Sequence, residues 1–248
     1  MPESFLHEIR LRKETISSFD SFPFCLRAVK SLESIRFHPS VTFFVGENGT
    51  GKSTLLEALA IALGFNAEGG TKNFQFETRR SHTELHKHLR VSRGLRRPKD
   101  GFFLRAESFF NVASEIDRLD EEPSFGPPLK DSYGGISLHE QSHGESFFSL
   151  FNNRFGGQGL YLLDEPEAAL SPRRQLAFIT RLHDLVQAGS QFVIATHSPI
   201  VMAYPKAEIY CFDESGVSPS AYEETEHYRL TKMFLDRPEA SLRHLMAD

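Results

Sequence analysis

The sequence has few cysteines, no long uncharged apolar run and no excess of positive charge. Its two cysteines, Cys25 and Cys211, are far apart in 248 residues and have no metal-like spacing. They indicate neither a disulfide framework nor a zinc site, and they fit a reducing cytoplasm. Nowhere do about 18 uncharged apolar residues follow one another, and the N-terminus lacks the apolar core of a signal peptide. We therefore expect a cytoplasmic protein that is neither secreted nor membrane-spanning.

The net charge of −5 gives no sign of nucleic-acid binding by the molecule as a whole, but one segment is basic. Residues 79–99 contain eight Lys or Arg against the single acid Glu84, a net charge of +7 (8 − 1). Such a segment, Arg79 to Lys99, would contact about four to seven phosphates of DNA or RNA with salt-dependent affinity. Two alternatives stay open: a solvated lid whose Arg79, Leu85 and Leu89 face inward, and a surface for an acidic protein.

Strand-like and helix-like segments alternate along much of the chain. The runs "FLHEIRLRKE", "SIRFHPS" and "VTFFVG" predict strands in the first third. The last third alternates through "GLYLLDEP", "SPRRQLAFITRLHDLVQAG" and "QFVIATHSP", and it ends in a predicted C-terminal helix. This order predicts an α/β fold with a mostly parallel sheet flanked by helices.

The stretch "GENGTGKS", Gly46 to Ser53, matches the phosphate-loop pattern GxxxxGK(S/T) between a predicted strand and a predicted helix. Its glycines let consecutive backbone N–H groups and the positive helix end point at a phosphate. Lys52 would hold the β- and γ-phosphates of ATP, and Ser53 would hold Mg²⁺. The other predicted contacts to the nucleotide are Gly46, Glu47, Asn48, Gly49, Thr50, Gly51 and Thr54.

A second motif, "LYLLDEPEAAL", supplies two carboxylates after an apolar strand. Asp164 would lie at the carboxyl end of that strand, where open α/β sheets bind ligands, and Glu165 follows it. We expect Asp164 to reach Mg²⁺ and Glu165 to act as the general base toward the attacking water.

Two further motifs complete a family resemblance: "SHGES", residues 142–146, before an apolar helix, and "ATHSP", which places His197 at a strand end. With the two preceding motifs, they make the chain resemble an ABC-type P-loop ATPase. The sequences of these motifs are similar to those of small stand-alone "AAA family" ATPases related to the SMC and RecF-like group. Ser142, Gly144 and Glu145 match the family's LSGGE signature, whereas Gln141 and His143 depart from it.

The resemblance implies an N-terminal antiparallel strand region and a helical signature subdomain beside the parallel sheet. We expect one ATPase domain over residues 1–248, with a basic and helical subdomain at about 66–150. His197 would be the switch histidine that contacts the γ-phosphate. Ser142, Gly144 and Glu145 of one subunit would close over ATP held by Lys52 of another, which implies a head-to-tail homodimer. Ser171 replaces the usual Asp of the segment 169–172.

The family's metal-sensing glutamine has no clear counterpart. Laying "FFLRAESFF" on the expected strand places Ala106 or Glu107 at that position. Glu107 would bring a carboxylate toward the metal. Gln75 is the other candidate, although it is closer to the phosphate loop than is usual.

The load that ATP hydrolysis drives stays open. Lys52 and Ser142 are 90 positions apart (142 − 52), too few for the coiled-coil arms of SMC and break-repair relatives. Three hypotheses remain. In the first, the protein is an ATP-switched dimer that acts on nucleic acid or an effector protein in genome maintenance or defence. In the second, it powers a separate membrane permease, and in the third, it is a nucleotide-gated regulatory module with negligible turnover.

Overall fold

The structure, a computed structural model, describes residues 4–71, 84–106, 109–121, 131, 135, 139 and 143–246. Its main sheet has six strands in the order β5-β6-β7-β3-β8-β9, all parallel except β9. The strands are β3 (Val41–Gly46), β5 (Asp100–Arg105), β6 (Gly159–Asp164), β7 (Gln191–Ala195), β8 (Glu208–Asp213) and β9 (Gly216–Pro219). The mostly parallel sheet predicted from the alternation of elements is therefore confirmed.

A second, antiparallel sheet has the order β2-β1-β4. Its strands are β1 (Leu6–Leu11), β2 (Ser34–Arg36) and β4 (Leu89–Arg93). The antiparallel region implied by the family resemblance is thus present. It draws one strand from much later in the chain than the other two.

Seven α-helices lie within the described residues. They are α1 (Arg27–Ser31), α2 (Lys52–Leu63), α3 (Phe109–Glu121), α4 (His143–Asn153), α5 (Pro172–Gln187), α6 (Glu226–Asp236) and α7 (Pro238–Leu245). The single predicted C-terminal helix is wrong in detail. It is two helices, because the residue before Pro238 is disfavoured in helical conformation and Arg237 is not helical, with φ −144° and ψ +61°. No helix of the described part is long and apolar enough to cross a membrane.

The main sheet is buried on both faces, and its side chains alternate between two core layers. Phe43 of β3 packs in the layer that also holds the buried residues of α3, α4 and α5. Phe44, the next residue, packs in the layer formed with α2 and the antiparallel sheet. This continuous burial explains the unbroken apolar runs of the strands and leaves their carboxyl ends to carry polar residues.

The basic segment is only partly described, and its described part is not a helical lid. Leu85 and Leu89 are buried as expected, but residues 89–93 form β4, which pairs with β1. Arg79 lies outside the described residues. Within the predicted subdomain 66–150, β4 and β5 belong to the two sheets, and the first α-helix among its described residues is α3. The limits of that subdomain stay a prediction.

Candidate active site

The phosphate loop connects β3 to α2, and two glycines have conformations that favour glycine. Gly46 has φ +152°, and a Cβ there would lie 2.1 Å from the carbonyl oxygen of Phe212. Gly51 precedes the first helical residue with φ +102°. Any side chain at Gly46 would push β3 from β8, and one at Gly51 would strain the turn into α2. Glycine is therefore required by the backbone at both of these positions.

Lys52 is the first residue of α2 and is only 3% exposed. Its Nζ donates hydrogen bonds to the carbonyl oxygens of Gly46, at 2.7 Å, and Glu47, at 2.9 Å. Burial lowers the pKa of Lys52, while the charges of Glu165 and Asp164 act in the opposite direction. The loop thus holds a desolvated cation against two of its own carbonyl oxygens, and such a cation attracts phosphate strongly.

Ser53 and Asp164 are brought together from 111 positions apart in the chain, because β3 and β6 end at the same edge of the sheet. The Ser53 hydroxyl donates to Oδ1 of Asp164 at 2.9 Å, and Asp164 is 6% exposed. A hydroxyl and a carboxylate oxygen suit Mg²⁺, which takes few protein ligands and completes its shell with waters and phosphates. No cluster of three or more metal-ligating His, Cys, Asp or Glu side chains occurs in the described ranges. These residues fit Mg²⁺ bound together with a phosphate.

Glu165 has an unusual backbone conformation, with φ +51° and ψ +53°. Such a left-handed conformation in a non-glycine residue costs about 1–3 kcal/mol and is concentrated at functional sites. Its N–H donates to the carbonyl oxygen of Ala195 at 2.9 Å, which joins the ends of β6 and β7. Its side chain is 38% exposed, and Oε1 lies 3.3 Å from Nε2 of His197. The predicted base and the predicted switch histidine are therefore in contact.

His197 is held in place by a residue that none of the predicted roles includes. The backbone N–H of His197 donates a hydrogen bond to Oε1 of Glu167 at 2.6 Å. Burial raises the pKa of Glu167. Burial also lowers the pKa of His197, and the nearby Lys52 charge adds to that effect. Glu167 thus anchors the turn after β7, and His197 favours its neutral imidazole.

A second histidine also contacts His197. His227, the second residue of α6, places its Nε2 3.1 Å from Nδ1 of His197. Its Nε2 also lies 3.6 Å from Oε1 of Glu47 in the phosphate loop. The C-terminal region was predicted only as a helix, so the sequence analysis missed this neighbour of the site.

The signature motif lies only partly within the described residues. Ser142 is outside them, while Gly144 and Glu145 lie in the first turn of α4. A Cβ at Gly144 would lie 2.9 Å from the carbonyl oxygen of Ala169, so glycine permits close packing of α4 on the segment after Glu165. Oε1 of Glu145 is 3.9 Å from Nη2 of Arg174.

Ser171, where the family has Asp, is the N-cap of α5. Its hydroxyl oxygen accepts from the N–H of Arg174 at 3.4 Å. The departure from the family pattern therefore has a local explanation in the start of a helix.

The two candidates for the metal-sensing position, Glu107 and Gln75, lie outside the described residues. Ala106 is described, and its N–H donates to the carbonyl oxygen of Asp164 at 3.2 Å. Arg105, at the end of β5, lies at the same carboxyl edge of the sheet. Its Nη1 is 2.7 Å from Glu57, and its Nε is 4.0 Å from Oδ2 of Asp164. The sequence analysis assigned no role to this arginine.

Two family models match the chain. One, described as "AAA domain", matches residues 15–115, and the other, described as "AAA domain, putative AbiEii toxin, Type IV TA system", matches residues 136–203. The first match includes the phosphate loop, and the second includes Asp164, Glu165 and His197. A curated relative, "ABC transporter G family member STR2" of Medicago truncatula, is 28% identical over 172 residues. That match covers 64% of this chain but only 24% of the relative.

Solved structures share the fold. An ATP-binding cassette of an ABC transporter aligns with a TM-score of 0.53 at 15% identity, over 96% of this chain and 98% of that one. A structure titled "An inward-facing conformation of a putative metal-chelate type ABC transporter" aligns with a TM-score of 0.51 at 16% identity. It covers 95% of this chain and 90% of that one. At these identities the likeness shows the fold alone, and that fold is the one the motifs predict.

Proposed function

We propose that this chain is an ABC-type P-loop ATPase that binds ATP with Mg²⁺ at the phosphate loop and couples its hydrolysis to dimerisation and release. One observation carries the proposal. The Ser53 hydroxyl, the Asp164 carboxylate and the contacting pair Glu165 and His197 meet at the carboxyl edge of one sheet, beside the loop that holds Lys52.

Each residue of this edge has a distinct task in the proposed reaction. The loop N–H groups and the Lys52 ammonium would bind the β- and γ-phosphates, and Ser53 with Asp164 would hold Mg²⁺. When bound, Mg²⁺ neutralises charge on the phosphates. Glu165 would accept a proton from the attacking water, and His197 would donate a hydrogen bond toward the γ-phosphate. His197 favours the neutral form because burial lowers its pKa, so this contact needs no extra charge.

The proposed site is completed by a second copy of the chain. The signature residues Ser142, Gly144 and Glu145 would close over ATP bound to the partner molecule and form a head-to-tail homodimer. The 56% exposure of the Glu145 side chain leaves it accessible for such a contact. ATP that binds the dimer in preference to the monomer favours dimerisation by mass action, and its hydrolysis reverses this.

The proposed load is a nucleic acid or an effector protein. Supporting the nucleic acid, the exposed basic side chains of β4 and the segment after it are Arg90, Arg93, Arg96, Arg97 and Lys99. An effector protein is supported by the family model that matches residues 136–203, because the description of that model names a toxin. The second candidate function, the ATPase subunit of a membrane permease, is supported by the transporter names of the relative and of both solved structures.

Two variants test the enzymatic proposal. Lys52→Ala should abolish ATP binding, because the loop loses its phosphate-facing cation. Glu165→Gln should retain ATP binding and reduce kcat by about 10²-fold or more, because it removes the base. Isothermal titration and phosphate release measure the two quantities. Negligible turnover in the unmodified protein, left unchanged by Glu165→Gln, would support the regulatory module instead. Unchanged binding in Lys52→Ala would refute the assignment of the site.

A further inference from the structure

His227 joins the phosphate loop to the predicted switch histidine across three parts of the chain. Its Nε2 is 3.1 Å from Nδ1 of His197 and 3.6 Å from Oε1 of Glu47. Beyond it, Nε2 of His197 is 3.3 Å from Oε1 of Glu165. The four side chains therefore form a row, Glu47, His227, His197 and Glu165, with a carboxylate at each end.

The two carboxylates decide where the hydrogens of the row lie. A carboxylate only accepts hydrogen bonds. Nε2 of His227 lies 3.6 Å from Oε1 of Glu47, too far for a hydrogen bond, but the charge of that carboxylate still favours a hydrogen on the nitrogen. The same N–H faces Nδ1 of His197, which then accepts. A neutral imidazole whose Nδ1 accepts carries its hydrogen on Nε2. In the opposite tautomer, Nδ1 of His197 would carry the hydrogen and donate to Nε2 of His227. Nε2 of His197 would then turn a lone pair toward Glu165, and Nε2 of His227 would turn one toward Glu47.

The backbone around His227 keeps it at this distance from His197. Thr225, two residues before it, is fully buried, and its hydroxyl donates to the carbonyl oxygen of Tyr222 at 2.7 Å. The Tyr222 hydroxyl donates to the carbonyl oxygen of Pro199 at 2.9 Å. The start of α6 is thus tied to the turn that contains His197, and the histidine pair does not depend on one contact alone.

We propose that His227 is a positioning residue that holds His197 in the tautomer with hydrogen on Nε2. His197 then presents an N–H donor to the γ-phosphate of ATP, while His227 itself touches neither the phosphate nor the attacking water. This inference rests on the proposed function of His197. It adds to that function a residue outside all four sequence motifs.

The kinetic test compares two substitutions of His227 with a matched control. His227→Leu removes the donor, and we expect kcat to fall about 10- to 100-fold with KM for MgATP within about twofold. His227→Gln keeps an amide N–H donor, and we expect it to recover most of the lost kcat. His244→Leu makes the same change at an exposed histidine of α7 and should match the unmodified protein. Equal losses of kcat in the Leu and Gln variants would overturn the proposal.

A second measurement is independent of hydrolysis. Imidazole ¹⁵N spectra of the labelled full chain, with His197 assigned by its loss in His197→Gln, report which ring nitrogen carries the hydrogen. We expect hydrogen on Nε2 in the unmodified protein and a mixture of tautomers in His227→Leu. Hydrogen on Nδ1 in the unmodified protein would overturn the inference whatever the ATPase rate. An inactive protein with the expected tautomer would instead refute the proposed function alone.

Discussion

At the scale of single residues, the position of His197 in the candidate active site depends on the buried carboxyl group of Glu167. Oε1 of Glu167 accepts the N–H of His197 at 2.6 Å, and the Thr196 side chain also bonds to this carboxyl group. Burial raises the pKa of Glu167 although the hydrogen bonds that it accepts lower it, and we interpret Glu167 as a hydrogen-bond acceptor whose charge is not required.

This interpretation predicts different results for two substitutions of Glu167. Glu167→Gln keeps an oxygen acceptor at similar volume, so the free energy of unfolding and kcat should stay close to those of the unmodified protein. Glu167→Ala leaves the backbone N–H of His197 without its partner, and we expect the free energy of unfolding to fall by about 1–3 kcal/mol. Urea denaturation and ATPase assays measure both. If Gln is as damaging as Ala, the negative charge of Glu167 is needed and the interpretation is wrong.

Individual residues were predictable where the motif that contains them is contiguous. The loop Gly46 to Ser53 has its pattern within eight neighbouring positions, so that pattern alone predicts roles for Lys52 and Ser53. Glu167 and His227 were missed because each meets His197 across 30 positions. No periodicity of the sequence records such a contact, which arises only when β6, β7 and the start of α6 come together.

At the scale of elements, one side chain of β7 connects the two sheets. Gln191 is 1% exposed. Its Oε1 accepts from the N–H groups of Phe5 and Leu6 at 2.9 Å, and its Nε2 donates to the carbonyl oxygens of Leu6, at 2.8 Å, and His38, at 2.9 Å. The first strand of the antiparallel sheet is thus attached to the main sheet through one amide.

Replacing this amide should loosen the attachment. Gln191→Leu preserves volume but leaves four backbone groups, three of them buried and one half-buried, without this partner. We expect the free energy of unfolding to fall by about 3 kcal/mol or more. The same substitution at the exposed Gln187 of α5 should change it by less than about 0.5 kcal/mol. Chemical denaturation measures both variants, and hydrogen exchange should show lost protection mainly in β1. A loss below 1 kcal/mol at Gln191 would contradict this role.

The type of most elements was predictable, whereas the partners of the short ones were not. Apolar runs such as "VTFFVG" are buried on both faces, so their composition alone identifies interior strands. In contrast, β4 has the sequence "LRVSR", which is short and rich in charge, and its sequence permits a lid or a binding surface as well as a strand. Its strand conformation depends on pairing with β1, about eighty positions earlier, and local composition contains no record of that pairing.

At the scale of the whole molecule, the charge distribution separates two properties that the proposed function combines. The chain carries a net charge of −5, which disfavours general binding to nucleic acid, yet basic side chains are exposed on and after β4. The described signature residues, Gly144 and Glu145, lie on a different element, α4, so nucleic-acid binding and dimerisation should respond to different substitutions.

We expect Glu165→Gln with MgATP to change from a monomer of 28.1 kDa to a dimer of twice that mass in light scattering. Without the base, ATP persists and keeps the two copies together. Adding Glu145→Arg to this variant should prevent the change, because a reversed charge at the signature opposes closure over ATP. Adding Lys52→Ala should prevent it because ATP no longer binds. A constant monomer mass in Glu165→Gln would show that "SHGES" does not complete a partner's site.

The same samples mixed with short duplex DNA separate the possible loads. If the basic side chains bind DNA, the dimer should retain it at low salt and lose it steeply as salt rises, because bound counterions are released. Reversing Arg93, Arg96 and Arg97 to Glu should abolish this retention without altering the ATP-dependent mass. A dimer that ignores DNA would direct the search to an effector protein or a permease. Loss of both properties in the triple variant would mean that β4 supports the fold and not a separate binding surface.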